Sequence, residues 1–175
     1  PRSQWGRNTV NASASPMGGL YQSMLDNFAA VYSQLVVYGY TPRVQGMAWM
    51  QGEADLGNPN GYKTLLKAFI TDIRTDLKEI TGDESLESMP FVIGEIATSF
   101  AYANNSQVPA FVTMQRAVAS EMENVYTVKT DDLIIVNADG TVNGTDQYHF
   151  NKNDSRTLGK RFGEALWNNA RRDNN

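Results

Sequence analysis

Residues 44–55 read VQGMAWMQGEAD and change abruptly from an apolar segment to a polar one. The segment from Val44 to Met50 is short and carries no charge, which is typical of a buried strand in a parallel sheet. The polar loop Gln51–Asp55 follows directly, and Asn58-Pro59 then opens a helix. A strand that leads through a polar loop into a helix is the repeating unit of α/β folds.

The same alternation extends on both sides of this stretch. Upstream, an apolar stripe from Leu20 to Val36 predicts a helix that starts near Ser15-Pro16 and stops at Gly39. The helix opened at Pro59 is expected to end at Gly82. The remaining predicted elements are a strand at Pro90–Ile96, a helix at Val108–Glu123, a strand at Val125–Val128, a short extra strand at Leu133–Val136 and a helix at Asp154–Arg171.

Helices and strands in strict alternation predict an α/β fold with a parallel sheet and helices on both faces. Residues 1–175 are expected to form a single domain, because the length suits one domain and is too small for two. Three central strands make a thin sheet, and the pattern begins on a helix as if a leading strand were missing.

Composition excludes several classes of function. The net charge of -4 offers no basic surface for nucleic acid. The chain has no cysteine and one histidine, so disulfides, thiolate catalysis and a histidine-rich zinc site are all excluded, and no metal is expected. No apolar run is long enough for a membrane span, so no membrane partner is expected.

His149 is the one side chain that can exchange protons near neutral pH without a large pKa shift. Asp146 lies three residues earlier in a turn-rich loop, where its carboxylate can orient the imidazole and stabilise its protonated form. The alternative is a surface histidine beside an aspartate that caps a turn, and spacing alone favours that alternative.

The loop after the first strand carries a second set of candidate groups. Gln51 can offer its amide N–H to a developing oxyanion, and Glu53 and Asp55 can bind substrate hydroxyls or hold the loop. The alternative, which residue type alone favours, is that all three satisfy backbone groups. Trp49 and Met50 are expected in the core rather than at a ligand.

Three blocks of the sequence, in order, resemble one family. The block WMQGEAD at residues 49–55 resembles the W-x-Q-G-E-x-D block of SGNH-type carbohydrate esterases, in the sialate O-acetylesterase-like and acetylxylan-esterase-like group (carbohydrate esterase family 6). PFVIGEI at residues 90–96 resembles the next strand of that family, and DQYHF at residues 146–150 resembles its D-x-x-H block. The similarity extends from Leu20 onward.

The resemblance implies a three-layer α/β/α sandwich, the flavodoxin-like SGNH hydrolase fold, and a Ser-His-Asp esterase without a cofactor. His149 would be the general base and Asp146 its partner. Gln51, Gly52 and Glu53 would form the oxyanion and substrate loop. The implied reaction removes O-acetyl groups from sugars, and such substrates favour an extracellular or periplasmic location for a secreted protein.

The nucleophile is where the sequence departs from the family, which carries it in an early G-Q-S-N or G-D-S block. Neither block occurs here: Ser3, Ser13 and Ser15 lie in the opening loop, and Ser99 lacks a flanking glycine. The chain is therefore interpreted as the C-terminal part of the domain, without the N-terminal strands. An N-terminal companion segment or chain is expected to carry the serine. A noncatalytic carbohydrate-binding relative and a plain flavodoxin-like domain are the alternatives.

Overall fold

The computed structural model describes Trp5 and residues 18–98, 107–135 and 149–170. Its elements, in chain order, are helix α1 (Gly19–Val37), strand β1 (Met47–Trp49), helix α2 (Pro59–Thr81), strand β2 (Phe91–Gly94), helix α3 (Gln107–Glu121), strand β3 (Val125–Val128) and helix α4 (Lys152–Ala170). Short 3₁₀ helices cover Glu53–Asp55 and Glu84–Ser88. The predicted alternation of helices and strands is confirmed.

The three strands form one parallel sheet in the order β1-β2-β3. Phe91 of β2 pairs with Met47 on one side and Val125 on the other. All four residues of β2 are buried, as befits a central strand. The sheet and the four helices confirm the predicted α/β class and are consistent with an SGNH-like α/β/α fold.

Two strands are shorter than predicted, and one predicted strand is wrong. Gly46 has a φ of 154°, and a Cβ there would lie 2.8 Å from the carbonyl oxygen of Pro90, so regular pairing starts only at Met47. The strand predicted to run to Ile96 ends at Gly94. Leu133 and Ile134, predicted to begin an extra strand, have no regular secondary structure, Ile135 forms a bend, and Val136 lies outside the described residues.

The helix ends follow the local signals in the sequence. Gly39 and Gly82 adopt positive φ values of 84° and 73° directly after α1 and α2, which glycine accepts at little cost. The side chain of Asn58 accepts a hydrogen bond from the N–H of Gly61 and caps α2. The predicted start at Ser15-Pro16 lies outside the described residues. No helix in the described ranges has both the length and the apolar character to cross a bilayer.

The chain divides into two compact units, of which the first comprises residues 1–45 and 64–89. Tyr21 of α1 packs edge-on against Phe69 with ring centroids 5.7 Å apart, and its hydroxyl donates to the carboxylate of Asp76. Along the predicted apolar stripe of α1, Tyr21 and Leu25 are buried, whereas Leu20 is 44% exposed. Further along it, Val31 is 61% exposed.

The second unit comprises residues 46–63 and 90–175 and contains the sheet. One face of the sheet packs against α4 through a cluster of buried aliphatic side chains: Val92, Val128, Leu133 and Leu158. Gly94 makes this close packing possible, because a Cβ there would clash with the sulfur of Met50 and the ring of Phe162.

After β2, buried polar side chains form hydrogen bonds to the backbone in place of regular strand pairing. Gln115 of α3 is fully buried, donates to the carbonyl of Gly94 and accepts from the N–H of Ile96, both at 3.0 Å. Glu95 is 2% exposed and accepts two hydrogen bonds from Arg116 at 2.8 and 2.7 Å. These contacts fix the chain where it leaves the carboxyl end of the sheet.

A candidate active site at the carboxyl end of the first strand

The loop after β1 turns sharply at Gly52, whose φ is 143°. A Cβ at this position would lie 2.5 and 2.7 Å from two ring carbons of Phe111, so both the backbone angle and the close approach require glycine. The 3₁₀ helix Glu53–Asp55 starts from this turn, and the N–H of Asp55 donates to the carbonyl of Gly52 at 2.8 Å. Gln51 and Glu53, on either side of this turn, both line the cleft described below.

Gln51 is held from behind by side chains of β1 and α2. The hydroxyl of Tyr62 lies 2.7 Å from Gln51 Oε1 and 3.0 Å from its backbone oxygen. Trp49 Nε1 donates to the same hydroxyl at 3.2 Å. On the other side, Gln51 Nε2 lies 3.5 Å from a carboxylate oxygen of the buried Asp55. The amide therefore has defined partners at both ends.

His149 is positioned by the two residues that follow it. Phe150 packs against the apolar cluster between the sheet and α4. Asn151 caps α4, because its Oδ1 accepts from the N–H groups of Asn153 and Asp154, both at 3.0 Å. The exposed His149 is thereby anchored just before the first turn of α4.

The loop and the start of α4 enclose a cleft of about 470 Å³, which falls in the size range of small-molecule sites. Polar groups and apolar side chains both line it: Met50, Gln51, Glu53, His149, Phe150, Ser155, Leu158, Gly159 and Phe162. A cleft of this character can hold a ligand with an apolar group and several hydrogen-bonding oxygens.

Two opposing effects act on the carboxyl of Glu53. Burial raises its pKa above the ordinary value, because a charged carboxylate loses its hydration there. Hydrogen bonds from the N–H groups of Glu53 and Gly52 lower the pKa in part, as does the electrostatic attraction of His149. The net effect is a raised pKa, so the carboxyl of Glu53 holds a proton more readily than that of an exposed glutamate.

The structure brings together three of the predicted site residues: Gln51, Glu53 and His149 all line the cleft. Gly52 contributes the turn itself. Asp146, the predicted partner of His149, lies outside the described residues. So do all four serines that the sequence offered as nucleophiles.

The roles predicted for Trp49, Met50 and Asp55 agree only in part with the positions of these residues in the structure. Trp49 is buried, as predicted for a core residue. Met50 packs against the core but also lines the cleft, so its assignment to the core alone is incomplete. Asp55 is buried and accepts from Gln51, which matches a role in holding the loop.

Several cleft residues were not identified from the sequence, namely Phe150, Ser155, Leu158, Gly159 and Phe162. Phe150 precedes α4, but the spacing of the other four on α4 is a usable signal, since residues three or four apart share one helix face. Ser155 is a hydroxyl in the cleft, but it donates to the carbonyl of Phe150 at 3.1 Å, as serines at helix starts commonly do. Tyr62, behind the cleft, carried no sequence signal for its contact with Gln51.

A solved structure and a family model each resemble this chain, the first in fold and the second in sequence. The structure is similar to the X-ray structure of an Arabidopsis thaliana protein with a TM-score of 0.65 and 18% identity, over 96% of this chain and 56% of that one. The chain thus spans little more than half of that protein's length, and the likeness shows the fold alone. No curated protein matches the chain.

The sequence model of one family matches residues 3–168, which is nearly the whole chain. The match includes the loop at Gln51, the His149 segment and most of α4. The chain belongs to the family described as carbohydrate esterase, sialic acid-specific acetylesterase.

Proposed function

We propose that this chain contributes the substrate cleft and the general base of an esterase that removes O-acetyl groups from carbohydrates. The observation that carries the proposal is the convergence of Gln51, Glu53 and His149 on one cleft within a chain of the carbohydrate esterase family. An acyl-transfer site needs a base, an orienting acid and donors for an oxyanion. Sugar substrates of this kind favour an extracellular or periplasmic location.

In the proposed reaction, a serine hydroxyl attacks the acetyl carbonyl and His149 accepts its proton. The Gln51 amide donates to the oxygen that gains negative charge in the tetrahedral intermediate. His149 then protonates the departing sugar oxygen. Water attacks the acetyl-serine while His149 accepts a proton from it, and His149 returns that proton to the serine oxygen as acetate leaves. The apolar side chains of Met50 and Phe162 would contact the acetyl methyl group or the apolar face of a sugar ring.

Two carboxylates are candidates for the acid that orients His149. The family resemblance assigns this role to Asp146. The cleft itself supplies Glu53, which lines the same space as His149 and is attracted to it. Either carboxylate would stabilise the imidazolium formed during turnover, and the two assignments make different predictions for single substitutions.

The serine is proposed to lie on an N-terminal companion segment or chain. Among the described residues, β1 pairs with β2 alone, and Ala48 in the middle of β1 is exposed. An unpaired edge of an apolar strand accepts a further strand readily. A companion that adds strands beside β1 would also bring a serine to the carboxyl end of the sheet, where His149 lies.

The proposal is tested by replacing His149 with alanine in the native protein and measuring acetate release from an O-acetylated sugar. We expect a loss of kcat on the order of a thousandfold or more, because no other side chain replaces the base. Arg156→Ala is the matched control, since Arg156 is an exposed residue of α4 that does not line the cleft. Turnover near the wild-type rate in His149→Ala would refute the assignment.

A fluorophosphonate probe, which labels activated serines, distinguishes the enzyme from a carbohydrate-binding relative without activity. Labelling on a peptide outside residues 1–175 supports a companion that carries the nucleophile. Absence of labelling, together with retained binding of the sugar, supports the noncatalytic alternative. Intact mass and denaturing electrophoresis of the native sample would show whether a companion chain is present.

A further inference from the structure

Trp49, Tyr62 and Gln51 form a series of hydrogen bonds behind the cleft. Which group donates and which accepts in each bond follows from the chemistry of the donors. The indole N–H of Trp49 can only donate, so the Tyr62 oxygen accepts that bond at 3.2 Å. The single phenolic proton of Tyr62 is then available for Gln51. The nearest acceptor is Gln51 Oε1 at 2.7 Å, with the backbone oxygen farther away at 3.0 Å.

The other end of the Gln51 amide agrees with this direction. Asp55 Oδ2 lies 3.5 Å from Gln51 Nε2, and an ionised carboxylate can only accept. Exchanging the oxygen and nitrogen of the amide would give up the 2.7 Å bond from the Tyr62 hydroxyl to an amide oxygen and would set acceptor against acceptor at Asp55. Both neighbours select one orientation, with the carbonyl toward Tyr62 and the NH₂ group turned away from it.

We propose that Tyr62 is a positioning residue that fixes the Gln51 amide so that its N–H donor faces an acceptor oxygen of the bound acyl group. This inference rests on the proposed function of the cleft. Tyr62 is 5% exposed and does not line the cleft, so it acts through Gln51 and does not touch the substrate. The ligand group that this arrangement recognises is a carbonyl oxygen or the oxyanion derived from it.

The surroundings of Tyr62 suit a permanent proton donor. Its ring packs against the buried Phe111 with centroids 4.8 Å apart, which holds the phenol in place. Burial, and to a smaller extent the charges of Asp55 and Glu53, raise the pKa of Tyr62 well above its usual value. The hydroxyl therefore stays protonated at any pH at which the esterase would operate.

The first test observes the Gln51 amide directly and needs no esterase activity. In a nitrogen–proton correlation spectrum, Tyr62→Phe should shift the side-chain amide signals of Gln51 and accelerate exchange of their protons with solvent. Tyr126→Phe is the matched control, because the Tyr126 hydroxyl donates to Asn124 at 3.1 Å and not to a cleft residue. Unchanged Gln51 signals in Tyr62→Phe would overturn the proposal.

The second test is a double-mutant cycle on the native esterase. Tyr62→Phe should lower kcat about tenfold with little change in KM, because a misplaced donor weakens mainly the transition state. In a Gln51→Ala background the same substitution should have no further effect, since the group it positions is gone. An equal loss in both backgrounds would indicate a merely structural role and would refute the proposal.

The two tests separate failure of this inference from failure of the proposed function. If no variant or wild-type protein hydrolyses acetyl esters, the proposed function fails, while the spectroscopic test still decides the role of Tyr62. If Tyr62→Phe does not fold, Gln51→Glu replaces it, because that side chain still accepts from Tyr62 but lacks the N–H donor. Wild-type turnover in Gln51→Glu would refute the proposed donor.

Discussion

The carboxyl of Glu53 and the imidazole of His149 lie in the same cleft, and the histidine lowers a carboxyl pKa that burial raises. The two residues come from distant parts of the chain, one after the first strand and the other before the last helix. Both line one cleft, so an acid lies near the proposed base without any contribution from Asp146, the aspartate of the D-x-x-H block.

Substitution of each candidate acid should show which one orients His149. If Glu53 has this role, Glu53→Gln should lower kcat by about a hundredfold or more, because the neutral amide no longer stabilises the imidazolium. Asp146→Asn should then retain most of its activity. The reverse result would assign the role to Asp146, and full activity in both variants would exclude each of them.

Glu53 should also make stability depend on pH in a defined direction. Burial raises the folded-state pKa of Glu53 above its ordinary value of 4.5, so the folded protein binds this proton more tightly than the unfolded chain. Stability from this group is therefore present at low pH and is lost as pH rises through the folded pKa. Glu53→Gln should have a higher Tm than wild type at neutral pH, and the difference should vanish below pH 4.5, as measured by thermal melts across pH.

Gly52→Ala should damage both the fold and the site. The φ of 143° is unfavourable for alanine, and its Cβ would overlap the Phe111 ring. We expect a loss of about 2–3 kcal/mol in the free energy of unfolding, measured by urea titration. Gly57→Ala is a suitable control, because a Cβ at that position has its nearest neighbour 4.0 Å away. A stable Gly52→Ala protein would show that the loop tolerates another conformation.

Arg116→Ala should destabilise the protein by leaving the buried carboxylate of Glu95 without its partner. Removing one member of a fully buried pair costs about 3–5 kcal/mol, but Arg116 is 51% exposed, so we expect about 2 kcal/mol. Adding Glu95→Gln should recover part of the loss, because the neutral amide is less costly to bury. A double variant less stable than Arg116→Ala would argue against this explanation.

The two halves of α1 should respond differently to truncation. Leu25 is buried, and Leu25→Ala should cost about 2–4 kcal/mol through lost packing. Val31 is largely exposed, and Val31→Ala should change stability by less than about 0.5 kcal/mol. Chemical denaturation of both variants measures this contrast. A large effect at Val31 would indicate that something covers this part of the helix in solution.

The class of fold and the carboxyl ends of α1 and α2 are predictable from the sequence alone. Alternating apolar strands and amphipathic helices require a parallel sheet, because only helical crossovers return the chain to start a neighbouring parallel strand. Gly39 and Gly82 marked helix ends because a left-handed residue there is a local property of the backbone. Gln51, Glu53 and His149 were also identified from the sequence, through residue chemistry and the family resemblance.

How far each strand pairs and what surrounds Gln51 follow from contacts between distant parts of the chain. The sheet starts after Gly46 because Pro90 approaches it from another part of the chain, and no local pattern encodes that approach. Tyr62 reaches Gln51 for the same reason: α2 folds back beside β1 and places a phenol 2.7 Å from an amide oxygen. Periodicity in a sequence predicts which face of an element is buried, whereas hydrogen bonds between elements depend on packing that local sequence does not specify.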